Sequence, residues 1–359
     1  MLFITITAHG THIMSKRKLT DQQLRRIRDK QTKASSTLNE TTLSAQQEGL
    51  IISHYGQQLD VKNLEDHCVY RCYARSNLPS LACGDRVLWR KSIQENAIKP
   101  PSHDADSSDN QLQGVIDQLL PRDSVIERPH PHRGLKPIAA NINTLVIVFA
   151  SEPEPYDNLI DRYLIAAAHA NLTPILVLNK IDLLANNSDY LTRFSHYSEL
   201  GYTFLKVSST TSENIDALTD VLVNTGSIFV GQSGVGKSSL LNCILPDAHS
   251  TTGALSNSHN KGRHTTTTSC LYELPNGGHI IDSPGIREFG LWHLDKSHVI
   301  KGYVEFHGYL AQCKFRDCSH KDNIKGCAIQ LAAQDGLIHP QRLASYFSIL
   351  NSFDEAVQK

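Results

Sequence analysis

One octapeptide limits what this chain can fold into more than any other feature: Gly231-Gln232-Ser233-Gly234-Val235-Gly236-Lys237-Ser238. It fits GxxxxGK[ST]. The apolar run 227–230 (SIFV) leads into it, and the helix-like stretch 238–245 (SSLLNCIL) follows. A chance match in a chain of this length has odds of roughly one in a hundred, and a strand before with a helix after is the context that the motif needs. The glycines let backbone N–H groups turn inward around phosphate oxygens, helped by the N-terminus of the following helix. In this reading Gly231, Gln232, Ser233, Gly234, Val235, Gly236, Lys237, Ser238 and Ser239 hold the nucleotide. Lys237 brings a point charge to the β/γ-phosphates, and the Ser238 hydroxyl reaches Mg²⁺.

The flanking sequence repeats one form: an apolar run, then a polar or glycine-rich tip. It appears at 144–150 (TLVIVFA), 174–182 (PILVLNKID), 203–209 (TFLKVSS), 227–234 (SIFVGQSG) and 279–285 (HIIDSPG), with a helix predicted over 158–170. Continuous apolar runs are the mark of strands buried on both faces. Ligands of open α/β sheets sit at the carboxyl ends of such strands, so the tips should converge.

A phosphate loop does not choose between ATP and GTP, but Asn179-Lys180-Ile181-Asp182 does. The Asp182 carboxylate can accept both N1–H and N2–H of guanine, and adenine has no such donor pair. Asn179 can hold the O6/N7 edge of the base or tie loops together, and the Lys180 stem can cover the ring. Ser208 and Ser209 would add backbone N–H contacts to O6. Asp282-Ser283-Pro284-Gly285 fits DxxG: Asp282 would reach Mg²⁺, and the Gly285 N–H would reach the γ-phosphate and release on its loss. The run 262–268 (GRHTTTT) supplies a threonine hydroxyl for Mg²⁺. Thr265 to Thr267 are candidates, with Thr266 in the middle. These motifs come in an unusual order, with the base reader before the phosphate loop, so the domain is circularly permuted. A permutation moves the termini and can keep the same strand tips together.

Composition narrows the rest. The chain carries 35 Lys+Arg against 36 Asp+Glu, which excludes both a uniformly basic nucleic-acid coat and an acidic disordered chain. No run of 18 apolar residues occurs, so no membrane-spanning helix is expected. The N-terminus lacks the pattern of a secretory signal, and the second methionine, Met14, is a plausible start. Residues 1–45 read as a basic flexible arm and linker, with eight Lys/Arg against two Asp over 14–33. Such an arm is either simply solvated or contacts phosphates. Residues 46–135 hold short β-rich runs (GLIISHYGQQLDVK, HCVYRCYAR, GDRVLWR, LQGVIDQLL, DSVIERP). About five strands suggest a small OB-type barrel, of a kind that often binds oligonucleotides. Residues 136–295 are the permuted GTPase unit. Residues 296–359 read as helical, interrupted by Cys313, Cys318, His320 and Cys327. With no export signal, a metal cluster among reduced thiols fits better than disulfides.

The order of motifs, the barrel and the Cys/His cluster together resemble the ribosome small-subunit-dependent GTPase A family (RsgA, also called YjeQ). The resemblance is carried by KPIAANI at 136–142, IDRYL at 160–164, VLNKIDLL at 177–184, GQSGVGKSSLLN at 231–242, IDSPGIREFGLWHL at 281–294 and CKFRDC at 313–318. It implies a multidomain chain: an N-terminal OB-fold β-barrel that binds RNA, a circularly permuted α/β P-loop GTPase domain, and a C-terminal helical zinc-binding domain. It also implies a cytoplasmic monomer that binds the small (30S) ribosomal subunit and its rRNA, and acts in late maturation. GTP would be hydrolysed to GDP and phosphate with stimulation by the subunit, with Mg²⁺ at the nucleotide. Cys313, Cys318, His320 and Cys327 would hold one structural Zn²⁺, although another group could replace His320.

Many GTPases orient the attacking water with a Gln just after DxxG. Here Ile286 stands in that place and has no hydrogen-bonding group, so intrinsic hydrolysis should be slow. His264 is the candidate to complete the site, either positioning water or offsetting charge on the γ-phosphate. Its alternative is contact with RNA or solvent only. The competing function is a non-enzymatic rRNA-binding placeholder whose nucleotide sets conformation. Intact Lys237, Ser238 and Asp282 favour the enzyme.

Overall fold

The computed structural model describes residues 43–93, 113–130, 134–156, 158–184, 188–246, 269–283, 295–321 and 324–357. Residues 1–42 of the basic arm lie outside them.

Five strands close a barrel: β1 (Gln47–His54), β2 (Gln58–Asn63), β3 (Val69–Ala74), β4 (Arg86–Lys91) and β5 (Gly114–Leu119). β1 pairs with β2 and β4, β2 with β3, β3 in parallel with β5, and β5 with β4, which completes the ring. Alternate residues face inward, as the two-residue period of a strand requires, and Ile51, Val61, Val87, Trp89 and Ile116 are fully buried. The Trp89 indole fits because Gly49 and Gly114 face it. A Cβ at either position would come within 2.8 Å of the ring. One run assigned to this region lies outside the barrel. Residues 125–130 form β6 (Val125–His130), which pairs with β7 (Gly134–Ala140) as a separate ribbon spanning residue 135. The barrel is already closed by its own five ladders.

The remaining strands are β8 (Thr144–Ala150), β9 (Thr173–Asn179), β10 (Thr203–Lys206), β11 (Gly226–Val230), β12 (Ser269–Glu273) and β13 (His279–Asp282). Their order is β10-β9-β8-β11-β13-β12, and all pairs are parallel except β12 with β13. β8 is buried along its whole length. Leu145, Ile147 and Phe149 enter one core, and Val146, Val148 and Ala150 enter the other. The sheet is therefore covered on both faces, as its unbroken apolar strands predict.

Among the described residues the helices are α1 (Leu159–His169), α2 (Ser188–Arg193), α3 (Ser195–Glu199), α4 (Ile215–Leu222), α5 (Lys237–Ile244), α6 (Lys296–Val299), α7 (His307–Leu310), α8 (Ala328–Gln334) and α9 (Pro340–Val357). Leu218, Leu222, Leu240 and Leu241 cover one face of the sheet. On the other face, Val299, Tyr303, Phe306, Ile329, Tyr346 and Ile349 of the C-terminal region join Leu164 and Ile165 of α1 in a single core. The barrel also continues the sheet: Ser53 and His54 of β1 pair with Cys270 and Ser269 of β12. Among the described residues, no helix is long and apolar enough to cross a membrane.

Candidate nucleotide site and metal centre

Four predicted tips meet at the carboxyl edge of the parallel strands. β9 ends in Asn179, β11 leads into Gly231, β13 ends in Asp282, and residues 207–209 follow β10. The phosphate loop is shaped by glycine. Gly231 has φ +142°, and a Cβ there would lie 2.0 Å from the Val148 carbonyl oxygen. Gly236 has φ +93°, with its Cβ position 2.3 Å from Asn179 Nδ2. Both conditions exclude a side chain. Lys237 opens the eight-residue α5. Its Nζ donates to the carbonyl oxygens of Gly231 (2.8 Å) and Gln232 (2.6 Å) and so lies across the loop. Val235 is buried, and Ser233, Gly234, Ser238 and Ser239 face solvent.

Of the two roles open to Asn179, the geometry displays the tie between loops. The residue is fully buried. Its Nδ2 donates to the Val235 carbonyl (2.9 Å), and its Oδ1 accepts from the Ser209 N–H (3.1 Å). Lys180 has φ +64°, and its Nζ reaches the Glu152 carbonyl (2.6 Å). Asp182 lies in a 3₁₀ turn after β9 and accepts a hydrogen bond from the Ser208 hydroxyl. Ser208 N–H donates to the Glu213 carbonyl (3.0 Å), and Ser209 N–H is held by Asn179. Two serines in a tight turn bond locally first. Ser208 thus orients the Asp182 carboxylate, and its hydroxyl also accepts the Thr211 N–H (3.1 Å).

Asp282 is exposed at the tip of β13, beside the buried Ser283, whose hydroxyl meets that of Ser269 at 2.8 Å. His264, Thr265, Thr266, Thr267 and Gly285 lie outside the described residues.

A second cluster lies in the C-terminal region. The ligand atoms of Cys313, Cys318, His320 and Cys327 all fall within 4.8 Å of one another. His320 Nδ1 is 3.6 Å from both Cys313 Sγ and Cys327 Sγ. Tetrahedral bonds of ordinary zinc length would separate such donors by about 3.5–3.8 Å, close to the two His320 distances, so the four residues could hold a metal ion. His320 takes φ +55°, and its carbonyl accepts from Gln330 Nε2 (2.7 Å), which anchors the turn to α8. Cys327 and His320 are buried, and Cys313 and Cys318 are half-buried.

Comparison with known proteins agrees with this geometry. The family model described as RsgA GTPase matches residues 119–292. A small ribosomal subunit biogenesis GTPase RsgA from Hahella chejuensis is 45% identical over 94% of this chain and 93% of its own length. The chain belongs to the RsgA GTPase family. The protein of the same description from Haemophilus influenzae is 44% identical over 95% of this chain and 97% of its own length. Among solved structures, YjeQ from Thermotoga maritima is 27% identical with a TM-score of 0.64, covering 86% of this chain and 98% of that one. YloQ, described as a circularly permuted GTPase, shares the fold at 22% identity and a TM-score of 0.64, over 89% and 98% of the two chains.

Some of the supporting residues had no motif to announce them. Residues 151–156 run over the loop: Pro153 is the nearest neighbour of a Cβ placed on Gly234 (3.5 Å), and the Lys180 contact holds the preceding carbonyl. Tyr163 of α1 is 4% exposed, and burial pushes its phenol pKa up. Arg342 of α9 is fully buried. Its guanidinium bonds Asp161 of α1, Glu305 (2.6 and 3.0 Å) and the Gly302 carbonyl (3.0 Å). Burial opposes its charge, but Asp161 and Glu305 outweigh that and hold the proton above the ordinary arginine range. An Arg among helical residues has no sequence signature that separates it from a solvated one.

Proposed function

We propose that this chain hydrolyses GTP to GDP and phosphate on the small (30S) ribosomal subunit during its late maturation, as a cytoplasmic monomer stimulated by that subunit. The observation that supports this reading best is the meeting of Asn179, Asp182, the Gly231-to-Ser238 loop and Asp282 at one sheet edge, in a chain 45% identical to a small ribosomal subunit biogenesis GTPase.

In this reading Asp182, steadied by Ser208, accepts guanine N1–H and N2–H. Asn179 keeps the base-reading and phosphate loops in register, and the Lys180 stem covers the base. The loop amides from Gly231 to Ser239 cradle the phosphates, and Lys237 leaves its two carbonyls to meet the β/γ-phosphate charge. Ser238, Asp282 and one of Thr265 to Thr267 would hold Mg²⁺, which would supply positive charge beside the phosphates. The Gly285 N–H senses the γ-phosphate. Water attacks γ-phosphorus in line, GDP leaves, and His264 positions that water or offsets the charge that develops. The barrel and the basic arm contact rRNA. Cys313, Cys318, His320 and Cys327 hold one structural Zn²⁺, whose loss loosens the C-terminal region and leaves nucleotide binding intact.

The test is GTP turnover with purified small subunits, large subunits serving as control. Strong stimulation by small subunits only, lost in His264→Ala while GTP binding persists, is the expected result. Association in both nucleotide states without stimulated turnover would instead indicate the placeholder role.

A further inference from the structure

β12 and β13 are antiparallel, with Cys270 opposite Asp282, so the start of one strand lies beside the end of the other. Ser269 opens β12, and Ser283 directly follows β13. Their hydroxyls meet at 2.8 Å. In the sequence, Thr267 stands two residues before Ser269, and Gly285 two residues after Ser283. Two residues span at most about 7 Å in any conformation. Both candidate γ-phosphate sensors are therefore tethered to one hydroxyl pair by short covalent distance.

The barrel reaches the same pair. Cys83, fully buried ahead of β4, donates from its thiol to the Ser269 carbonyl (3.1 Å). Beside it, a Cβ on Gly84 would lie 3.1 Å from Ile281 Cδ1 of β13. β1 pairs His54 with Ser269 and Ser53 with Cys270, and the Ser53 hydroxyl donates to Cys270 Sγ at 3.8 Å. Ser269 is thus held at its hydroxyl from the end of β13, at its carbonyl by Cys83 and along its backbone by β1.

Stability alone does not account for the pair. Ser283 is 3% exposed, and a buried hydroxyl needs a partner. Once made, such a bond contributes only about 1 kcal/mol, and apolar groups of the same shape can do as well. The neighbouring cross-strand pair, Leu271 with Ile281, is apolar and buried. What a hydroxyl pair adds is direction: it fixes the spacing of the two strand ends, where apolar side chains could slide.

We infer that Ser269 and Ser283 are positioning residues for γ-phosphate recognition, with Cys83 tying their contact to the barrel, a role that rests on the GTPase reading above. The pair fixes the strand ends from which Thr265 to Thr267 and Gly285 extend. A load on the barrel reaches both sensors through the Cys83–Ser269 bond. GDP has no γ-phosphate, so loss of the pair weakens GTP binding and spares GDP.

The test compares the affinity of the full chain for a fluorescent GDP analogue and for a fluorescent non-hydrolysable GTP analogue, both with Mg²⁺. Ser269→Ala and Ser283→Ala should each leave GDP affinity unchanged and weaken the GTP analogue about threefold to tenfold, the equilibrium effect of one hydrogen bond. Combined, they should weaken it no further, because both delete one contact. Ser269→Thr keeps the hydroxyl and suits a strand, and should match the wild type. Cys83→Ala should weaken the GTP analogue about twofold to threefold, and Cys83→Ser, which keeps a donor, should not. Lys62→Ala, paired with Glu273 at the other end of β12, should change neither affinity. Equal losses for the two nucleotides would reveal a merely structural role and overturn the inference, as would unchanged binding of the GTP analogue in both serine variants. A loss in the serine variants with none in Cys83→Ala would overturn the barrel's part. A wild-type chain that binds neither nucleotide would refute the proposed function itself and this role with it.

Discussion

The two seams that join the GTPase sheet to its neighbours are built from different materials. The barrel is attached largely through bonds to main-chain carbonyls. β1 continues the sheet at Ser53–Cys270 and His54–Ser269, and the Ala140 N–H donates to the Cys83 carbonyl (3.0 Å). Asn141 Nδ2 donates to the Gly84 carbonyl (2.8 Å), and the Cys83 thiol to the Ser269 carbonyl (3.1 Å). The C-terminal region is attached through side chains, with Arg342 at the centre. Backbone pairing is nearly indifferent to which side chains sit on it, so it tolerates substitution and fixes the barrel rigidly. A buried side-chain network can be undone at one atom.

The sharpest way to break that contrast is Arg342→Met. It strands the Asp161 and Glu305 carboxylates in the core and should destabilise the chain by about 3–5 kcal/mol. Urea unfolding measures this, and restoring neutrality with Asp161→Asn and Glu305→Gln should recover most of the loss. A small effect of the single variant would mean that water reaches the network.

The barrel seam has one comparably fragile point. Gly84 has φ +88°, and a Cβ there would lie 2.1 Å from the Ala140 carbonyl oxygen. Gly84→Ala should cost about 3 kcal/mol, from the left-handed backbone and the clash together. Its effect should appear as increased hydrogen exchange at 139–140 and along β1, with α9 unaffected. Equal protection at both seams would contradict their independence.

A pH dependence should be visible at the C-terminal seam. His196 is buried and stacks on His339 with ring centroids 4.3 Å apart. Burial first, then the neighbouring His339 and the Arg342 guanidinium, push its pKa down to about 4, against a smaller opposing effect of Asp161. The unfolded chain binds a proton near pH 6.5 and the folded chain does not. Stability from this group is thus complete above pH 6.5 and lost as pH falls toward 4. Thermal melts from pH 7 to pH 5 should show a smaller decline in His196→Phe than in the wild type. Parallel profiles would remove His196 from the seam's pH response.

The smallest effect is expected at Lys62–Glu273 (2.6 Å), which bridges the barrel and β12 with Glu273 55% exposed. Such a pair contributes at most about 1 kcal/mol, so Lys62→Ala should shift the urea midpoint little. A large shift would show that side chains matter at this seam after all.

Local chemistry explains what was legible. β8, β9, β11 and β13 are apolar runs bounded by polar tips, and Asn179, Asp182, Lys237 and Asp282 are tied to those tips by short covalent distance. Cys313, Cys318, His320 and Cys327 are close in the chain and cluster in space for the same reason. The misassigned run at 125–130 shows the limit. Its alternation marks a strand correctly, but a period of two does not name the partner. The role of Ser208 was likewise hidden, since a serine after a strand bonds whichever neighbour the turn presents.

The amino-acid sequence alone settled the nucleotide motifs, their permuted order and the spacing of the Cys/His cluster, because each is a local pattern whose chemistry depends on residues near one another in the chain. Only the tertiary structure decided how the three regions join. Strand β1 pairs with β12 more than 200 residues later, and Arg342 lies against Asp161 across 181 positions. Contacts at such separation carry no periodicity or motif. They exist because two folded surfaces meet, and that is decided by the packing of the whole.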